Sequence, residues 1–134
     1  MPVKTRWDNN KKTIWRYAFH KKWTWQEFEA ARAEARRIII DQPHRVDFIF
    51  DLSKCKAMPD SFMIRTRQML RQVKRTSDVY VIVGQAEAYN FYIKTFQTER
   101  ERLHYADDLA AARLFINRRK DEQAYQTVAT IGAS

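Results

Sequence analysis

The run Val79-Tyr80-Val81-Ile82-Val83 is apolar throughout, rich in β-branched residues and closed by Gly84. Those residue types favour extended backbone. The run does not alternate between apolar and polar positions, so as a strand it must be covered on both faces. That requirement fits a central strand of a parallel sheet. Parallel neighbours cannot be joined by tight hairpins and need crossover segments, usually helices. The rest of the chain must therefore supply helices with apolar stripes.

The sequence meets that demand. Val3–Trp7 reads as a short strand and Asp8-Asn9-Asn10-Lys11 as a turn, since Asn and Asp bond to their own main chain. Thr13–His20 alternates, with Ile14, Arg16, Ala18 and His20 on one face and Trp15, Tyr17 and Phe19 on the other. It is expected to form a hairpin with the first strand. Thr24-Trp-Gln-Glu27 is a capping box that opens a helix. Its stripe comprises Trp25, Phe28, Ala31, Ala35, Ile38 and Ile39, and Pro43 stops it. Val46–Leu52 reads as a buried strand and Ser53–Pro59 as a loop.

Asp60 or Ser61 can cap a second helix to about Arg75, with Phe62, Thr66, Met69, Leu70 and Val73 on its apolar side. A third helix is expected from about Glu87 to Arg102, carrying Tyr89, Tyr92, Ile93 and Phe96. His104–Ala106 is long enough for a short strand. Asp107 can cap a fourth helix through Leu109, Ala112, Phe115 and Ile116. The predicted fold class is α/β, a mixed and mostly parallel sheet flanked by helices in the order β-β-α-β-α-β-α-β-α. Residues 1–120 make one domain on this reading, and 121–134 are expected to be a frayed C-terminal extension.

Composition narrows the function classes. A chain of 134 residues that is 45% hydrophobic can bury one core without staples. The single cysteine, Cys55, excludes an intramolecular disulfide. No apolar run approaches the length of a bilayer span, and Met1–Trp7 lacks the apolar stretch of a signal peptide, so the cytoplasm is the expected location. The net charge of +9 favours anionic partners.

Three local features resemble the STAS domain of bacterial anti-sigma-factor antagonists. The strand ending in Asp51-Leu52-Ser53 is similar to the family's Asp-x-Ser strand end. Met58-Pro59-Asp60-Ser61 is similar to the junction that carries the family's Asp-Ser pair, although Phe62 and Met63 follow where a small residue is usual. Val81-Ile82-Val83-Gly84 and Ala106–Ala112 resemble its next strand and the start of its last helix. The resemblance covers roughly residues 3–120. It implies a non-enzymatic regulatory or scaffold domain that acts through protein contacts, with Ser61 as a phosphorylation site.

The residues themselves suggest where partners would bind. Asp51, Ser53, Asp60, Gly84 and Gln85 are expected at the carboxyl ends of adjacent strands, where open α/β sheets bind ligands and partners. At a helix N-terminus Ser61 is either an ordinary cap or a phosphoserine held by the helix dipole. With Gly84 and Gly132 as its only glycines, the chain has no phosphate-cradling loop. His20, His44 and His104 lack ligand spacing, so no metal or cofactor is expected, and Cys55 reads as a plain free thiol on a loop. Arg67, Arg71, Lys74 and Arg75 share one arc of the second helix, which makes nucleic acid or an acidic surface the alternative partner. A small apolar ligand or lipid is the second alternative. Phe91 lies off the third helix's stripe and suggests a weak homodimer.

Overall fold

The computed structural model describes residues 3–57, 59, 64–65, 68, 79–84 and 103–120. Strands β1 (Val3–Trp7), β2 (Ile14–Lys22), β3 (Asp47–Ala57), β4 (Tyr80–Val83) and β5 (Leu103–Ala106) form one sheet in the order β1-β2-β3-β4-β5. The pair β1–β2 is antiparallel and the other three pairs are parallel. Helix α1 spans Trp25–Ile39 and a second described helix, α2, covers 109–120. The chain is thus α/β, as the alternation of elements implied. Ile64, Arg65 and Gln68 are helical and exposed, as expected for residues off the stripe proposed there. The rest of that predicted second helix, the third helix and residues 121–134 lie outside the described residues.

Local chemistry explains the hairpin. Asn9 Oδ1 accepts from the backbone N–H groups of Thr13 (3.0 Å) and Ile14 (3.2 Å). Lys12 adopts a left-handed φ of 57° to close the turn. The Asp8 N–H donates to the Ile14 carbonyl at 2.8 Å and ends the ladder.

The alternation in β2 sorts its side chains onto two faces. Trp15, Tyr17 and Phe19 point to the side covered by α1, where they meet Phe28, Phe50, Leu52, Tyr80 and Ile82. Trp7 packs edge-on against Trp15, and the Trp15 indole N–H donates to the Thr5 hydroxyl. On the other face Ile14, Ile49, Val81 and Val83 pack beneath Ala112 and Ile116 of α2. Every residue of β4 is buried, the double coverage that its unbroken apolar sequence demanded.

The capping box of α1 forms as read. Thr24 Oγ1 accepts from the Glu27 N–H at 3.1 Å, and Glu27 Oε1 accepts from the Thr24 N–H at 2.9 Å. Trp25, Phe28, Ala31 and Ala35 are buried, but Ile38 is 39% exposed and leaves the expected stripe. The helix gives way at Ile40, a full turn's reach before Pro43.

Two expectations need correction. β3 does not end at Leu52 but continues to Ala57, so Ser53 and Cys55 lie in a strand and not in a loop. The polar string Ser53-Lys54-Cys55-Lys56 is still extended because β2 also runs on to Lys22 and supplies a ladder partner. Register shifts interrupt that ladder, and Lys21 takes a left-handed φ of 50° there. Beyond the shift Lys54 and Lys56 are exposed while Cys55 is buried and accepts the Trp23 indole N–H at 3.3 Å. Cys55 is therefore a core thiol, not a loop thiol. The second correction concerns α2. Asp108, not Asp107, is its N-cap, with Oδ1 accepting from the Ala111 N–H at 2.8 Å.

Candidate functional site at the carboxyl edge

The parallel register brings Asp51 of β3 beside Val83 of β4, and Val83 beside Ala106 of β5. Asp51, Ser53 and Gly84 therefore meet at the carboxyl edge. Asp51 Oδ1 accepts from both the Ser53 N–H (3.0 Å) and the Ser53 hydroxyl (2.6 Å). This commits the proton of the exposed hydroxyl to Asp51. Asp60 and Gln85, the other residues expected at this edge, and the phosphorylation candidate Ser61 lie outside the described residues.

Gly84 is required at its position. Its φ is +120°, a region other residues rarely adopt, and a Cβ there would approach the Ser53 nitrogen to 2.8 Å. The close approach locks the end of β4 against the middle of β3. Gly84→Ala is expected to destabilise the fold by about 1–3 kcal/mol through strain and backbone displacement. Chemical denaturation measures this, and an alanine variant as stable as the parent would refute the tight approach.

Tyr105 and Asp107 complete the edge, and the sequence reading missed both. The Tyr105 hydroxyl donates to the Gly84 carbonyl. Burial of this hydroxyl raises its pKa above the usual 10.0, and the neighbouring Asp107 carboxylate adds to the rise. The hydroxyl thus stays protonated and remains a donor at neutral pH. The edge presents hydroxyl, carboxylate and main-chain groups in fixed positions, suited to hydrogen-bonding a protein surface.

The amino edge carries two ionic sites. The Asp8 side chain is fully buried and takes a bidentate contact from Arg113, Nε at 2.7 Å and Nη2 at 2.9 Å. This contact raises the Arg113 pKa. Arg16 Nη1 lies 3.5 Å from Asp8 Oδ1. Asp47, also fully buried, accepts the Val79 N–H at 2.9 Å and pairs with Arg45 (3.1 Å) and Lys120 (3.7 Å). Burial lowers the Lys120 pKa despite Asp47, and Arg45 and Lys11 push it the same way. The sequence signal for this site was an aspartate heading an apolar strand.

Among the described residues no three His, Cys, Asp or Glu side chains gather to hold a metal, and no helix is long and apolar enough to cross a membrane. His104 lies against Phe115 with ring centroids 4.5 Å apart and the planes tilted by 43°. The basic arc of Arg67, Arg71, Lys74 and Arg75, and Phe91, lie outside the described residues. No protein-family model matches the chain, and no curated protein matches it in sequence.

Proposed function

We propose that the chain is a STAS-like, non-enzymatic regulatory or scaffold domain whose partner docks at the carboxyl edge of the parallel strands. The observation that carries this reading is the ordered cluster of Asp51, Ser53, Gly84 and Tyr105. Main-chain and side-chain groups of three adjacent strands are fixed there, with Ser53 exposed. The opening antiparallel hairpin followed by parallel strands in sequence order also supports it. Strand ends of open α/β sheets recurrently form such sites. Phosphorylation of Ser61, in the segment that follows β3 in sequence, would add a dianion. It would repel an acidic partner or attract a basic one.

Site-specific photocrosslinking in cells tests the reading. A photoreactive residue at Ser53 is expected to trap one defined protein. The same residue at Ile40, 75% exposed at the end of α1, is expected to trap none. Equal capture at both positions, or none at Ser53, would overturn the docking edge. Mass spectrometry of the protein isolated from its own cells tests the switch, which fails if phosphate is found only away from Ser61.

A further inference from the structure

Asp8 is shared unequally among its neighbours. Arg113 uses its guanidinium fork to engage both carboxylate oxygens, at 2.7 and 2.9 Å. Arg16 is left with one longer contact at 3.5 Å. Its Nε–H is buried and meets no acceptor among the described residues, although Arg16 as a whole is only 9% exposed. An arginine withdrawn from water ordinarily has its donors satisfied.

A third guanidinium adjoins this pair. Arg6 of β1 is the direct ladder partner of Arg16, so the two side chains leave the same face of the sheet. Like charges directly opposite each other are unfavourable on a sheet. The next ladder position on that face pairs Lys4 with Ala18, and Ala18 offers only a methyl group beside Arg16. Asp51 lies beyond, opposite Ala18 on β3, with one oxygen committed to Ser53. Two guanidiniums therefore share one carboxylate, and Arg6 leaves the same face beside Arg16, so the three arginines carry two more positive charges than Asp8 compensates.

We propose that Arg6, Arg16 and Arg113 form a binding site for a phosphoryl dianion on the α2 side of the β1–β2 hairpin. The surplus charge matches the −1.5 to −2 of a phosphate monoester near neutral pH. The geometry favours phosphate over carboxylate. A carboxylate has two oxygens in one plane, and one arginine fork occupies both, as Arg113 does on Asp8. The three arginines stand on different elements, β1, β2 and α2, and a tetrahedral oxyanion can accept from donors that do not lie in one plane. Charge-assisted hydrogen bonds of this kind are among the stronger ones in proteins.

Calorimetric titration with inorganic phosphate, at ionic strength held constant with sodium chloride, tests the site. One saturable site is expected. Arg6→Gln removes a donor from an exposed position and so leaves folding intact; it is expected to weaken binding about tenfold, the loss of one charge-assisted bond. Arg37→Gln removes the same charge from an exposed position on α1 and is expected to leave binding unchanged. A second arm uses glycerol 3-phosphate. Tighter binding of the ester assigns the site to a phosphoryl group on a carrier such as a lipid headgroup, and tighter binding of inorganic phosphate assigns it to the free ion. Heat that does not saturate, or equal weakening by Arg6→Gln and Arg37→Gln, would overturn the proposal, because either marks diffuse attraction to a basic protein.

Discussion

Asp47→Ala is expected to cost about 3–5 kcal/mol of stability, the range for removing one member of a buried charge pair. The carboxylate is fully buried at the start of β3 and joins three separate segments. It caps the Val79 N–H just ahead of β4, pairs with Arg45 before β3, and meets Lys120 at the end of α2. Alanine leaves that amide without its acceptor and two cations without their counter-ion. Lys120 suffers most, because burial already disfavours its charge. Asp47→Asn retains an oxygen for the amide and is expected to lose clearly less. Urea denaturation of the two variants separates these contributions. An alanine variant within 1 kcal/mol of the parent would mean that solvent reaches the site and screens it.

The legible parts of the fold were those where a local rule and the tertiary surroundings agreed. β4 was readable because five apolar residues leave no polar face to expose. α1 was readable because Thr24 and Glu27 satisfy each other's amides without outside help. The two faces of β2 followed from its alternation alone. The reading failed where a neighbour decided. Ser53–Lys56 looks like a loop by composition, and it is extended because β2 offers it a ladder as far as Lys22. Asp107 and Asp108 are equally plausible caps in sequence, and it is Asp108 whose Oδ1 accepts from the Ala111 N–H.

The candidate site divides in the same way. Asp51, Ser53 and Gly84 could be placed together because the sequence reads each as close to a strand end, although β3 in fact runs past Ser53 to Ala57. Tyr105 joins them through the order of β4 and β5 in the sheet, which no local pattern encodes. The pairing of Asp8 with Arg113 spans nearly the whole described chain. It depends on α2 lying across the face opposite α1. A turn aspartate and a helix arginine carry no mark of such a contact until both faces of the sheet are assigned.

Phe28→Ala is expected to be as damaging as the loss of Asp47, at about 3–5 kcal/mol, the range for truncating a buried aromatic ring. Phe28 projects from the first turns of α1 into the aromatic layer over β2 and β3. Its ring lies within 5.2 to 6.5 Å, between centroids, of Tyr17, Phe19, Trp23, Trp25 and Phe50. Three of these contacts, with Tyr17, Trp23 and Trp25, are edge-on, a favoured arrangement for ring quadrupoles. Tyr17, Phe19 and Phe50 are anchored on the sheet, with Tyr17 and Phe50 stacked on each other at 5.4 Å, so these rings cannot collapse into the space. The cavity therefore persists, and its cost adds to the lost burial. Phe28→Leu keeps most of the volume and is expected to recover more than half of the loss. For a chain of this length the alanine variant should melt roughly 10 °C or more below the parent. A drop of only a few degrees would show that the aromatic layer repacks and that α1 is held mainly by its other contacts.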